Sequence, residues 1–278
     1  MKTLDAHQHY WRLSRGDYGW LTPEQGVLYR DFEPRDLAPQ LVDCKVTGTV
    51  LVQAAPTEAE TRFLLELART HPDIRAVVGW VDFQAVDVRE RIAALVRDGG
   101  GKLKGFRPMV QDIADPQWLG KPVLDRAFAA LVEHNLTFDA LVKPVHLEIL
   151  IRRLRQHPGL NTVLDHAGKP NIAAGELEPW ASQLQQLART TPCWCKLSGL
   201  LTEAAPSAGL AELDPYVAHI FECFGAERIM WGSDWPVLTT RATYREWFAL
   251  ATQLVARHAP GHERAVFSTN ASRFYRLD

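Results

Sequence analysis

Asp5-Ala6-His7-Gln8-His9 lies almost at the start of the chain, directly after Met1-Lys2-Thr3-Leu4. Read as the end of a strand, its successive side chains point to opposite faces, so His7 and His9 share one. Their Cα atoms then lie roughly 6.5 Å apart, two strand rises. That separation lets two neutral imidazoles lean toward one divalent ion, each at about 2.0–2.1 Å if the ion is zinc. The motif alone is weak. With ten histidines in 278 residues, some His-x-His arises in roughly a third of shuffled chains. A polar strand end with two exposed rings is the plain alternative, and the surrounding chain decides between the two.

Outward from this strand, apolar and β-branched runs alternate with helical patterns. Residues 49–53, 76–81, 103–108, 136–142, 161–166, 193–198 and 229–234 read as strands, short and bounded by Pro, Gly or polar residues. Residues 36–44, 58–71, 88–96, 123–134, 145–156, 179–189, 214–224 and 243–257 read as helices. In 58–71, Phe63, Leu64, Leu67 and Ala68 recur at helical spacing, and Pro72 follows. Eight strands, each followed by a helix at spacings of roughly 25–45 residues, imply a parallel sheet. Eight such units in one chain imply an α/β fold of the closed (β/α)8 barrel type. An open doubly wound sheet is the alternative, but no Gly-x-Gly-x-x-Gly follows the first strand. No linker or composition shift divides the chain, so residues 1–278 read as one barrel domain. The segment 265–276 is expected to pack outside it.

Hydrophobic residues make up 46% and charged residues 23%, and the net charge is −2. This is an ordinary globular balance. Without a long basic run, neither nucleic acid nor an anionic membrane surface is an expected partner. The longest apolar runs fall far short of a membrane span. A first strand beginning almost at Met1 leaves no secretory leader. Cys44, Cys193, Cys195 and Cys223 have no Cys-x-x-Cys spacing, and they read as reduced core residues of a cytoplasmic protein. The oligomeric state is not readable from the chain.

Catalytic groups of such barrels sit at the C-terminal ends of the strands. Those ends offer His7 and His9, Gln53, Arg107, Asp139, His166 and Asp234. Histidines from strands 1 and 6 and an aspartate from strand 8 surround one axial cavity, a set suited to one divalent ion or to a metal-free acid/base site. Arg107 either donates paired hydrogen bonds to a substrate or pairs with Asp82 or Asp139. Gln53 binds substrate or closes its strand, and Asp139 binds substrate hydroxyls or orients Arg107. Lys196 is a substrate ligand or the partner of an acid. His146 reads as a rim or cap residue. Residues 10–31 are too long for a minimal turn and suggest a lid. There Trp11, Tyr18 and Trp20 either wall a pocket, with Trp20 against the substrate, or anchor the loop on the rim. His71, His134, His157, His258 and His262 fall near helix ends, where a cation complements the dipole.

Beyond these residues, the chain resembles the amidohydrolase superfamily, and in particular its amidohydrolase-2 lactonase group. The resemblance rests on His7-Gln8-His9-Tyr10-Trp11, Asp17-Tyr18-Gly19-Trp20-Leu21, Val52-Gln53-Ala54, Val78-Gly79-Trp80-Val81-Asp82 and Gly105-Phe106-Arg107-Pro108. It continues in Leu164-Asp165-His166-Ala167-Gly168-Lys169-Pro170, Lys196-Leu197-Ser198-Gly199 and Met230-Trp231-Gly232-Ser233-Asp234-Trp235-Pro236, so it runs the length of the chain. It implies a barrel hydrolase that opens a lactone, with sugar-acid lactonases of the L-fucono-1,5-lactonase kind as the nearest likeness. It implies Asp234 as general base, with His7, His9 and His166 as metal or substrate ligands. Binuclear members of the superfamily use a carboxylated lysine or a glutamate at strand 4 and histidines at strands 5 and 6. Here strand 4 ends in Arg107 and strand 5 offers Asp139, so one divalent ion at most is implied, zinc first, on His7, His9 and Asp234. Some lactonases of the group work without metal, and that reading stays open.

The reaction expected is ester hydrolysis without a covalent intermediate, since no Gly-x-Ser-x-Gly elbow is present. Asp234 takes a proton from the attacking water, with His166 beside it as the second catalytic group. The carbonyl oxygen needs fixed positive partners, from a metal or from histidine and Arg107. Gln53, Asp139 and Arg107 beside aromatic faces suit a polyhydroxylated small-molecule lactone. The rivals are an amidohydrolase-type decarboxylase of an aromatic acid, a cyclic-amide hydrolase and a non-catalytic sugar-acid-binding barrel.

Overall fold

The computed structural model describes residues 3–277. Strands β1 (Thr3–Gln8), β2 (Val46–Val52), β3 (Ile74–Gly79), β4 (Leu103–Phe106), β5 (Thr137–Ala140), β6 (Thr162–Leu164), β7 (Trp194–Leu197) and β8 (Ile229–Trp231) form one parallel sheet in sequential order. The ring closes just beyond β8. Gln8 bridges Trp235, the His9 amide donates to the Trp235 carbonyl at 2.7 Å, and the Asp234 amide donates to the His7 carbonyl at 2.8 Å. The expected (β/α)8 barrel is therefore present.

Helices α1 (Pro34–Asp43), α2 (Glu58–Thr70), α3 (Val88–Gly99), α4 (Asp125–Glu133), α5 (Leu147–Gln156), α6 (Trp180–Thr190), α7 (Leu210–Phe224) and α8 (Tyr244–His258) follow the strands in turn. Their starts are chemically marked. Thr57 accepts the Glu60 amide ahead of α2, and Thr243 with Glu246 forms a capping box on α8. The period-2 pleat sorts the strand residues into two cores. Val50 and Val52 point inward with Val78, Val163 and Met230, while Leu51, Val77 and Phe138 face the helices. Each fully buried side chain of this size contributes roughly 1.5–3 kcal/mol.

The last helix, α9 (Asn270–Tyr275), does not pack outside the barrel as the sequence suggests. Its Phe274 and Tyr275 join the inner core of Leu4, Ala6 and Ala76. Small residues on β1 and β3 leave interior volume that strand side chains alone do not fill, and interiors are close-packed.

One irregularity in β1 positions the site. Asp5 pairs with Thr49 but Gln8 pairs with Leu51, so three steps on β1 match two on β2. This β-bulge reverses the phase of the pleat. Below it, Leu4 and Ala6 face inward and Asp5 faces outward, accepting from Tyr244 Oη at 2.9 Å and the Ser233 amide at 2.8 Å. Above it, His7 and His9 turn inward, and Gln8 turns outward to donate to Thr49 Oγ1 at 3.1 Å. Gly232 makes room: a Cβ there would lie 2.7 Å from the His7 Cβ.

Candidate active site

Four strand ends bring the ionisable groups together. His7 and His9 come from β1, Arg107 directly follows β4, Asp165 and His166 directly follow β6, and Asp234 follows β8. Two of the chain segments are strained. His166, Ala167, Gly168 and Lys169 all have positive φ (52°, 51°, 72° and 56°), and Asp234 has φ 58°. An L-residue held there costs roughly 1–2 kcal/mol, a strain that persists where surrounding structure over-determines it and clusters at functional sites. The pleat would send His166 outward after the inward Asp165. The left-handed turn brings it back over the cavity. Gly199, itself at φ 64°, lets it in, because a Cβ there would lie 2.4 Å from His166 Nδ1.

The centre of the site is a triangle of atoms. His7 Nε2 and His9 Nε2 are 3.2 Å apart, His9 Nε2 is 3.2 Å from Asp234 Oδ1, and His7 Nε2 is 3.6 Å from it. Four ligands held tetrahedrally at about 2.0–2.1 Å from zinc lie about 3.3–3.4 Å from one another. The triangle therefore has the size of one face of such a coordination shell. The donor chemistry agrees. His9 Nδ1 is 2.8 Å from the Val52 carbonyl, so it carries the proton and leaves the Nε2 lone pair directed inward. His7 Nδ1 has Lys196 Nζ at 3.2 Å and Asp165 Oδ1 at 3.5 Å, and Arg107 Nη1 stands 3.3 Å from its Nε2. Asp165 Oδ1 has Lys196 Nζ at 3.0 Å but no aligned hydrogen-bond donor among the described residues. A carboxylate behind a ligating imidazole is the usual supporting arrangement. The residues fit a divalent ion. Among the described residues, the second metal-competent group, His7, Asp165 and His166, shares His7 with the first.

Burial and neighbouring charge fix the protonation states. Burial drives His7 well below the usual histidine range, with Lys196 acting in the same direction. Burial likewise lowers His166 to about 4, against the pull of Asp234. Both rings are neutral near pH 7. Burial alone would raise Asp234, but His166, His9 and His7 more than offset it and hold its carboxyl below the usual range. Asp165 is held far down in the same way, chiefly by Lys196 against its burial.

Above the triangle lies a cavity of about 220 Å³, lined by His9, Trp20, Arg107, His166, Lys169 and Asp234 among others. Of the residues expected at the site, His9, His166, Arg107, Asp234 and Trp20 line it, and His7 lies beneath, fully buried in the triangle. Trp20 is fixed by its indole N–H donating to the Ala54 carbonyl at 2.7 Å. Trp11 and Tyr18 are instead buried loop anchors, Trp11 donating to the Arg30 carbonyl.

Two expected substrate ligands are not available to a substrate. Gln53 is fully buried, and its Oε1 accepts from Arg107 Nη2 at 2.9 Å and Nε at 3.2 Å, so it clamps the guanidinium. Asp139 sits one step below the strand end, also fully buried. Its oxygens accept from Lys196 Nζ at 2.6 Å, Thr137 Oγ1 at 2.8 Å and Tyr275 Oη. Arg107 pairs with neither Asp82 nor Asp139 but faces Asp165 Oδ2 at 3.5 Å. Lys196 is the partner of acids, Asp139 and Asp165. His146 is a cap, its Nδ1 accepting from the Lys143 amide at 3.1 Å.

Sequence reasoning missed Asp165, Lys169 and Ser198. Ser198 Oγ lies 2.9 Å from His166 Nδ1, and Lys169 pairs with Glu203 at 3.0 Å beside the cavity. Counting the pleat from Val163 would have found Asp165, since it shares the inward face.

A profile of the amidohydrolase family matches residues 4–277. The chain belongs to the amidohydrolase family. An L-fucono-1,5-lactonase from Burkholderia ambifaria is 44% identical over 99% of this chain and 96% of its own length. A second L-fucono-1,5-lactonase, from Burkholderia multivorans, is 37% identical over 99% of this chain and 96% of its own. A solved amidohydrolase from Burkholderia multivorans with bound zinc matches at TM-score 0.93 and 36% identity, covering all of both chains. Family membership and the barrel agree with the resemblance read from the motifs, and the chain is a hydrolytic enzyme.

Proposed function

We propose that this amidohydrolase opens the lactone ring of a sugar acid, with L-fucono-1,5-lactone as the nearest substrate. The observation that carries the proposal is the small cavity lined by Asp234, the His9 and His166 imidazoles and a clamped guanidinium, with the His7 ring in the triangle beneath it. At about 220 Å³ it is smaller than the roughly 300–1,000 Å³ of pockets for drug-sized ligands, which suits a single small ring. The lactonase relatives supply the reaction class.

In this reading His7, His9 and Asp234 hold one divalent ion, zinc by analogy with the solved relative, which when bound supplies Lewis-acid polarisation and eases deprotonation of water. Asp234 contacts the imidazoles through Oδ1 alone, leaving Oδ2 to accept the proton of the attacking water. Arg107, aligned by Gln53 and Asp165, aims its guanidinium at the negative charge developing on the carbonyl oxygen. His166 is held by Ser198 at Nδ1 and directs Nε2 into the cavity as a donor to the same oxygen. Asp234 returns the proton to the departing ring hydroxyl. Trp20 covers the ring and sheds water. The four unpaired cysteines suit a reducing, cytoplasmic setting. Assaying purified protein on a panel of aldonolactones, with and without chelator, tests the proposal. Turnover of L-fucono-1,5-lactone is expected, and a panel without any hydrolysis contradicts it.

A further inference from the structure

A second, larger chamber of about 490 Å³ opens beside the catalytic cavity and shares Trp20, Met109 and Asp112 with it. Its walls come from the loops after β1 to β4 and include four aromatic side chains, Trp20 and Trp80 half-buried and Phe83 and Trp118 buried. These walls are built into the fold. Trp80 is held at both backbone ends by Thr61, whose Oγ1 accepts its amide at 2.8 Å and donates to its carbonyl at 2.9 Å. Phe83 packs on Trp118, Phe128 and Phe138. The polar groups of the chamber are acceptor-rich. Asp17, Asp82 and Asp112 line it with Gln84, and no Lys, Arg or His among the described residues does. Asp17 Oδ2 accepts from Arg15 at 2.7 Å and Thr57 at 2.8 Å, while its Oδ1 is buried without a hydrogen-bond partner among the described residues.

Flat aromatic faces bind an apolar ring face. Carboxylates accept from hydroxyls and repel anions. An uncharged sugar ring, with an apolar C–H face and a hydroxyl edge, meets both requirements. We infer that the chamber is a subsite for a neutral glycosyl ring, so that the enzyme takes aldonolactones carrying a second sugar. This rests on the lactonase reading and deepens it. The lactone occupies the small cavity at Asp234 and Arg107, and the attached ring passes Trp20 and Met109 to lie against Trp80. The acidic lining also disfavours the carboxylate product as an occupant.

Two measurements test this. In the first, hydrolysis of a hexono-1,5-lactone is compared with that of maltobiono-1,5-lactone and cellobiono-1,5-lactone, in the wild type, Trp80→Ala and Gln84→Arg. At least one disaccharide lactone is expected to show a KM roughly three- to tenfold below that of the monosaccharide lactone, an advantage that both variants lose. Gln84 is exposed, so its variant tests the chamber without disturbing the core. Turnover of the monosaccharide lactone with no KM advantage for either disaccharide, or an advantage untouched by both substitutions, overturns the subsite and leaves the lactonase reading standing. Absence of all turnover overturns the lactonase reading. In the second, which needs no turnover, tryptophan emission is titrated with methyl glucopyranoside and methyl glucuronide. Saturation by the neutral sugar alone, weakened in Trp80→Ala, is expected. Equal response to both sugars, or response to neither, overturns the inference, as does saturation by phenol alone.

Discussion

His7 illustrates how one side chain comes to depend on a residue far from it in sequence. It turns into the barrel only because β1 carries one extra residue, and it fits only because position 232 has no side chain. Gly232→Ala would place a methyl 2.7 Å from the His7 Cβ, and neither backbone can yield without opening the β1–β8 seam. A misplacement of about 1 Å at a reacting group costs on the order of 10²-fold. The variant is expected to lose activity by about that factor and to retain less metal, read by assay and elemental analysis of the same preparation. Full activity and full metal content would show that His7 is not positioned this way. Arg107 is a second case. Its guanidinium is clamped by Gln53 at 2.9 and 3.2 Å, closer than Asp165 at 3.5 Å, so Gln53→Ala should raise KM or lower kcat without touching the substrate itself. Unchanged kinetics would remove the clamp from the account.

Among the elements, α2 and α9 carry consequences that the strands do not. Glu60 on α2 is buried, and its carboxyl accepts from the Ala54 and Ala55 amides, holding the turn on which Trp20 rests. Burial pushes its carboxyl from 4.5 up to about 8. The folded state therefore keeps a proton that the unfolded state releases above about 4.5. Stability from this group is fully present below that pH and is lost as pH rises toward 8. The melting temperature of the wild type should fall more between pH 5 and 8.5 than that of Glu60→Gln. Equal declines would contradict the assignment. On α9, Tyr275 donates to Asp139 beneath the site. Tyr275→Phe leaves a buried acceptor short of a donor and should cost about 1–3 kcal/mol, read from denaturant midpoints. A neutral substitution would mean that the plug is only a space filler.

These elements also show where sequence reading stops. Strand and helix order was readable because period 2 and period 3.6 leave local marks, and the triangle of His7, His9 and Asp234 followed once eight units implied closure. The β1 bulge leaves no such mark, since Leu4, Ala6, His7 and His9 break strict alternation without naming the extra residue. The left-handed turn at 166–169 needs a tertiary site to hold it, and only Gly168 hints at it. Asp139 lies one residue short of the end of β5, and that difference in depth makes it a buried partner of Lys196. Gln53 does stand at the end of β2, but its amide oxygen is taken by Arg107, a tertiary contact with no local mark. The inward course of α9 depends on volume left by Ala6 and Ala76, which no single stretch encodes.

Taken whole, the molecule is a closed ring that gathers His7, His9, Arg107, Asp165, His166 and Asp234 at one end of the barrel. Because the two metal-competent groups share His7, one ion per chain at most is expected in elemental analysis of protein loaded with excess zinc and desalted. Two tightly held ions would contradict the geometry. The central claim is that Asp234 is the base for water attack. It is checked most directly by kcat of Asp234→Asn on an aldonolactone, measured beside melting temperature and metal content. The side chain keeps its size and polarity but cannot accept the proton. The account predicts a folded protein whose kcat falls by about 10²–10⁴-fold. A folded variant that keeps most of the wild-type kcat would contradict it.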